Sequence, residues 1–338
     1  MGQSVIELKN VRKEFVTTKK YPGFKGAVKG LFTHETDKKV AVDDVTFAIN
    51  EGEVVGYIGS NGAGKSTTIK MMSGILTPTE GRCLVNGIEP YRNRLENAKN
   101  IGVVFGQRTQ LWWDLPLSET YTVLKEVYEI DERDFKDRME YFNEVLGLDE
   151  FMSSTVRTLS LGQRMRADLA AALLHNPKVL YLDEPTIGLD IVVKDKIRKF
   201  IKEINEKYNT TIILTTHDLS DIEELCNRII IIDAGKKIYD GTLVELKESF
   251  GQKCSIRFEL REKLDETQSE KLNEMSGKLQ INMREMVLNV GFSKKEYTVV
   301  EIISEIMKIA KVKDVQIKEV ELSDIVKGLY NRELEAGK

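Results

Sequence analysis

The stretch VVGYIGSNGAGKSTT, Val54 to Thr68, restricts this chain more than any other feature of its 338 residues. It fits G-x-x-x-x-G-K-S/T at Gly59, Gly64, Lys65 and Ser66. A motif of this kind needs a strand before it and a helix after it. Glycines let consecutive backbone N–H groups turn inward as an anion nest, and the helix N-terminus adds partial positive charge. Ser60, Asn61, Gly62 and Ala63 complete the cradle. Lys65 supplies a full charge to β- and γ-phosphates, Ser66 a hydroxyl to Mg²⁺, and Thr67 reaches the α-phosphate. The pattern implies a nucleoside triphosphate site.

The surrounding chain reads as α/β. From Val179 to Asp233 strands alternate with helices: VLYLD, a helix from Val192 to Tyr208, TIILTT, a helix to Asn227, then RIIIID. Such alternation implies parallel strands with helical crossovers. Upstream, SVIELKNVRKEF alternates like a strand, and VAVDDVTFAINEGEVVGYIG reads as two strands joined at Asn50-Glu51-Gly52. Leu117 to Leu146 is polar and helical in period. After Phe250 the order becomes strand Cys254–Leu260, helix Arg261–Met275, strands Lys278–Met283 and Met286–Phe292, helix Thr298–Ala310, strand Lys313–Lys318, and a helix from Leu322. That βαββαβ order suits a small ferredoxin-like α+β domain. The expected division is a nucleotide-binding domain at 1–248 and an accessory or regulatory domain at 249–338. The first carries an insert at about 17–39 and a helical subdomain at about 108–168.

Hydrolysis needs more than a cradle. VLYLDEP is a buried strand ending in Asp183 and Glu184. In phosphate-loop enzymes an aspartate there holds Mg²⁺, and the next carboxylate sits where it can polarise an attacking water. An Asp-Glu pair alone reads as a solvated strand end; beside a phosphate loop it reads as chemistry.

Composition narrows the partners. A net charge of −4 argues against nucleic acid as the main partner, because duplex binding usually needs a basic face. No apolar run approaches the roughly 20 residues that span a bilayer. The N-terminal MGQSVIELKN lacks the charged start and apolar centre of a signal peptide. Cys83, Cys226 and Cys254 are too few and too scattered for a disulfide framework or a metal site.

Between the phosphate loop and the Asp-Glu pair lies LSLGQ, Leu159 to Gln163, which resembles the LSGGQ signature of ABC-type ATPases with Leu161 in place of a glycine. Gln107 stands where that family has its Q-loop glutamine, and Gly188-Leu189-Asp190 resembles the D-loop. His217 matches the switch histidine, and Phe15 falls where an aromatic ring stacks on adenine. The resemblance covers about Val5 to Glu245. It implies a phosphate-loop fold of ABC type: a parallel-sheet core, an antiparallel β subdomain and an α-helical subdomain. It also implies a head-to-tail homodimer hydrolysing ATP with Mg²⁺. Ser160, Gly162 and Gln163 of one chain would then close the phosphate loop of the other. Asp190 would lie at the seam, Gln107 would face the metal and the water, and His217 would contact the γ-phosphate and fix the water with Glu184. Leu161 has less φ freedom than glycine, so a stiffer signature loop is expected.

The same resemblance gives a meaning to Trp112 and Trp113 in GQRTQLWWDLP. They follow the Q-loop position, where a groove receives a cytoplasmic helix of a membrane partner, and tryptophan is favoured at interface hot spots. One ring anchoring the helical subdomain is an equal and compatible reading. The insert at 19–39 holds an apolar stripe, Phe24, Ala27, Val28, Leu31 and Phe32, flanked by lysines. Such segments lie on membranes, on partners or on their own domain. The expectation is the ATPase subunit of a bacterial exporter of the drug-exporter group, held at the inner face of the cell membrane by separate permease subunits. A polysaccharide exporter, or a soluble ATPase of this type acting on ribosomes or DNA, stands as the alternative.

Overall fold

The computed structural model describes residues 4–18, 36–106, 108–250, 253–275 and 279–336. The insert stripe from Phe24 to Phe32, and Gln107, lie outside the described residues. The chain divides into two units, Met1–Gly241 and Thr242–Lys338.

In the first unit, Ser4–Thr18 (β1) pairs antiparallel with Thr36–Asn50 (β2) and with Glu80–Val85 (β4), giving a three-stranded sheet. A second sheet holds Val54–Gly59 (β3), Ile101–Phe105 (β5), Val179–Asp183 (β6), Thr211–Thr215 (β7), Arg228–Asp233 (β8) and Lys236–Thr242 (β9). Its order is β5-β6-β7-β3-β8-β9, and the first five strands run parallel. Strands covered on both faces read as continuous apolar runs, which is why TIILT is buried at every position. Parallel pairing brings all the C-terminal ends to one edge. Asp183 stands opposite Phe105 and Thr215, and Gly59 opposite Ile232. A ligand site of a parallel sheet forms at that edge.

The helices of this unit are Lys65–Met72 (α1), Arg94–Asn100 (α2), Leu117–Val127 (α3), Glu132–Leu146 (α4), Leu161–Leu173 (α5), Ile191–Tyr208 (α6) and Leu219–Leu225 (α7). One core joins both sheets to α1 through Ile6, Val45, Tyr57 and Met71. The polar helical stretch is two helices rather than one, because Glu129 takes φ 55 and turns the chain. Tyr121 of α3 donates to the Ala167 carbonyl of α5 at 3.1 Å. Phe142 of α4 meets Phe200 of α6 edge-on, with centroids 5.8 Å apart.

The second unit runs Leu243–Phe250 (α8), Lys253–Leu260 (β10), Glu266–Met275 (α9), Gln280–Arg284 (β11), Val287–Ser293 (β12), Val299–Ile309 (α10), Val312–Glu319 (β13) and Leu322–Ala336 (α11). Its sheet is antiparallel in the order β11-β12-β10-β13. Ile256, Phe258, Leu288 and Val290 face Leu272, Ile302 and Ile306. The helix expected from Arg261 starts five residues later, at Glu266. Asp265 and Gln268 exchange side-chain-to-backbone hydrogen bonds of 2.7 and 3.0 Å, a reciprocal cap that fixes the start there. Among the described residues no helix is long and apolar enough to cross a membrane.

Phe200 is fully buried and carries the edge contact that holds α4 to α6. Phe200→Ala should destabilise the first unit by about 3–5 kcal/mol, the usual cost of emptying an aromatic core position. A lowered denaturant midpoint with an unchanged signal from the second unit is the expected outcome.

Candidate active site

The phosphate loop folds as its glycines dictate. Gly62 and Gly64 take φ 83 and φ 106, and a Cβ at Gly64 would lie 2.5 Å from the Ala41 carbonyl. Ala63 anchors the loop from below, buried in the core, and its carbonyl accepts from Gly235 N–H at 3.1 Å. The Lys65 ammonium donates to the Gly59 and Ser60 carbonyls at 2.6 and 3.2 Å. Burial holds its pKa below the usual lysine value, with Glu184 and Asp183 opposing that shift. Ser60 donates to Asp233 at 2.6 Å, tying the loop to the end of β8.

Asp183 is the junction of the site. Its Oδ2 accepts from the Ser66 hydroxyl at 3.0 Å and its Oδ1 from the Thr215 hydroxyl at 2.5 Å. Glu184 follows with φ 58, a left-handed backbone that a glutamate adopts only when its surroundings impose it. Two neighbours do so. Glu184 N–H donates to the Thr215 carbonyl at 2.9 Å, and Gly106 packs so closely that a Cβ there would lie 2.3 Å from the Glu184 carbonyl. The turn aims Glu184 at His217, whose Nε2 stands 2.9 Å from Glu184 Oε1.

Two cavities flank the loop. One of about 290 Å³ is lined by Phe15, Asn61, Gly62, Gly64, Lys65, Thr67 and Glu184 among others. The other, of about 560 Å³, is lined by Phe15, Ser66, Thr67, Asp183, Glu184, Gly106 and Arg108 among others. The structure thus brings together Phe15, the loop, Asp183, Glu184 and His217. Among the described residues, Ser160, Gly162, Gln163 and Asp190 line neither cavity.

Those four lie at the starts of two helices. Ser160 caps α5 by accepting from Gln163 N–H at 3.2 Å, and Gln163 Oε1 accepts from Ser160 N–H at 2.9 Å. Asp190 caps α6 by accepting from Val193 N–H at 3.0 Å. A Cβ at Gly162 would contact Val193 at 3.4 Å. Leu161 needs no glycine-like φ, because it is already the first residue of α5. Trp112 and Trp113 are 40% and 49% exposed, and the Arg164 guanidinium lies 5.7 Å from the Trp113 ring.

Some participants carry no local signal. Thr215 and Asp233 gain their roles only through strand register. Asp168, buried on α5, accepts from the Thr109 hydroxyl at 2.9 Å and from Gln110 N–H at 3.1 Å, so it ties the segment after β5 to the Ser160 helix. A carboxylate at the head of the apolar run ADLAAALL was the available clue.

Comparison with known proteins agrees with this geometry. Residues 42–187 match the family model described as ABC transporter. The chain is 36% identical over 214 residues to the ABC transporter ATP-binding protein NatA of Bacillus subtilis (strain 168), covering 63% of this chain and 87% of that protein. The linearmycin resistance ATP-binding protein LnrL of the same organism is 35% identical over 214 residues, with 63% and 68% covered. The methionine import ATP-binding protein MetN 2 of Enterococcus faecalis (strain ATCC 700802 / V583) is 29% identical over 259 residues, with 75% and 70% covered. Among solved structures, a dimeric ATP-binding cassette in a post-hydrolysis state bound to ADP and Pi superposes with a TM-score of 0.59 at 27% identity, covering 70% of this chain and 98% of that one. The chain belongs to the ABC transporter ATP-binding proteins, and its chemistry is ATP hydrolysis.

Burial pushes the Asp168 carboxyl up to about 6, against the Thr109 hydroxyl and the Gln110 N–H that favour its charge. A carboxyl with a raised folded-state pKa contributes stability that is full below its unfolded value of roughly 3.9 and is lost as pH rises through the folded value. Asp168→Asn removes that dependence. Between pH 4 and 6 the stability difference should move in favour of the variant and level off above, as read from thermal midpoints of both proteins across that range.

Proposed function

We infer that two copies of this chain form the ATP-driven motor of a bacterial exporter, each completing the other's reaction centre. The carrying observation is the split of the site within one chain. Phe15, Lys65, Asp183, Glu184 and His217 converge, while Ser160, Gly162, Gln163 and Asp190 stand at helix starts away from both cavities. Ile187, Ile191 and Val192 around Asp190 are 40%, 78% and 68% exposed, an apolar surface suited to a second copy. The dimeric state of the ADP- and Pi-bound cassette points the same way.

In the assembled centre Phe15 stacks on adenine, and the nest with Thr67 holds the phosphates. Mg²⁺ fits Ser66 and Asp183, hard oxygen donors 3.0 Å apart, and Gln107 is assigned to it as a further ligand from its place in the sequence alone. Bound there, it neutralises phosphate charge. Glu184 polarises the attacking water, and His217 holds that carboxylate in place. Ser160 and the Gly162 N–H of the second copy donate to the γ-phosphate, with the start of α5 aimed at it.

Trp112 and Trp113, both half-exposed and the second beside Arg164, form the grip for a permease helix, and the insert at 19–39 provides a second contact. Through those permease subunits the motor sits at the inner face of the membrane. The direction is export, in line with the name of the linearmycin resistance relative and with the GQRTQLWWDLP stretch. The second unit, with its βαββαβ order and outer strands β11 and β13, is a ferredoxin-like accessory domain that regulates or steadies the dimer. On this reading the motor domain ends near residue 248.

Glu184→Gln should lower turnover by roughly 10²–10⁴-fold, the usual worth of a general base, while ATP accumulates in a stable dimer on size exclusion. Turnover near the wild-type rate removes Glu184 as base. Lys65→Ala should lose ATP binding in a direct titration. Inverted vesicles carrying the chain with its membrane subunits should accumulate cargo on addition of ATP; loss of preloaded cargo would reverse the direction.

A further inference from the structure

We propose that Asp221 is a positioning residue for hydrolysis, pinned by Arg198, which sets the Glu184–His217 pair according to where α6 lies. The proposal rests on the roles inferred above for Glu184 and His217 and adds what governs their alignment.

Asp221 is wholly buried on α7, and its carboxylate is saturated. Oδ2 accepts from the Thr186 hydroxyl at 2.5 Å and from the Thr216 hydroxyl at 3.1 Å. Oδ1 accepts from Arg198 Nε at 2.7 Å, with a second guanidinium nitrogen at 2.5 Å. Thr186 lies two residues after Glu184, and Thr216 immediately precedes His217. One carboxylate therefore holds the chain beside both halves of the pair.

The third partner comes from elsewhere. Arg198 sits on α6, eight residues after Asp190, or about 12 Å along the helix at 1.5 Å per residue. Its Nη2 also donates to the Ser220 hydroxyl at 2.9 Å and its Nη1 to Glu224 at 3.0 Å. Nearer the start of α6, Lys194 donates to Asp218 at 2.6 Å, and Asp218 N–H donates to the Thr216 hydroxyl at 3.0 Å. The helix that begins at Asp190 is thus bolted once to α7, through Arg198, and once to the loop that carries His217, through Lys194 and Asp218. A buried charge releases such partners only at high cost, so the contact behaves as a rigid link. A shift of α6 when two copies close moves Thr186 and Thr216 together, and with them Glu184 and His217. Of the linked groups only Glu184 lines the cavities of the phosphate loop, so breaking the link is expected to act on turnover far more than on ATP affinity.

The test uses the purified full-length chain. Thr186→Val removes one hydroxyl and leaves the Asp221–Arg198 pair intact, so it folds even where Asp221→Asn does not. We expect kcat to fall by about ten- to a hundredfold, the scale of a misplaced catalytic group, with KM for ATP within about threefold of wild type. Thr186→Ser, which restores the hydroxyl, should recover most of the loss. Asp221→Asn and Arg198→Gln should show the same split, and their combination should cost no more than the worse single variant, since both break one link. Folded Thr186→Val with wild-type kcat, or with kcat and ATP affinity falling together, overturns the proposal. Failure of Thr186→Ser to rescue does so as well. If instead Glu184→Gln retains turnover, it is the underlying assignment of the base that fails.

Discussion

Everything at the nucleotide edge depends on one carboxylate. Asp183 receives the Ser66 hydroxyl from the phosphate loop and the Thr215 hydroxyl from β7. It thereby joins a loop fixed by glycines to two strands fixed by parallel register. That junction ties the loop on β3 directly to the turn after β6, whose strands are otherwise joined through β7. The register supplies the geometry: Asp183 ends its strand opposite Thr215, and Glu184 donates to the carbonyl of the same residue.

The left-handed Glu184 shows how the scaffold spends stability on function. An αL glutamate is unfavourable by order of 1–3 kcal/mol unless its neighbours over-determine it. Here the Thr215 carbonyl holds its N–H and the bare backbone of Gly106 closes over its carbonyl. The result is a side chain aimed along the strand edge at His217. Precision comes from backbone packing, and the side chains around it finish the alignment.

What the sequence made legible was local. The phosphate loop, the strand VLYLD with its carboxylates, and the alternation through TIILTT and RIIIID are patterns of a few residues each. Their chemistry follows from adjacency along the chain. The βαββαβ order after Phe250 was likewise readable from period, though the helix after β10 starts later because Asp265 and Gln268 cap it. The break at Glu129 left no trace in the polarity pattern. Least legible were the long-range polar links. Ser60 with Asp233, Asp168 with Thr109, and Asp221 with Thr186 join residues far apart in sequence. Each arises only once strand order and helix packing are set. Gln107 and the insert stripe fall outside the described residues, so those readings rest on sequence.

Leu161 is where this chain departs from the glycine of its family's signature, and it has a counterpart. Its Cδ2 lies 3.1 Å from where a Cβ on Gly188 would stand, and Gly188 takes φ 71. The consequence falls on position 188: a side chain there would strain a left-handed backbone and press on the tip of Leu161, which must turn aside to admit it.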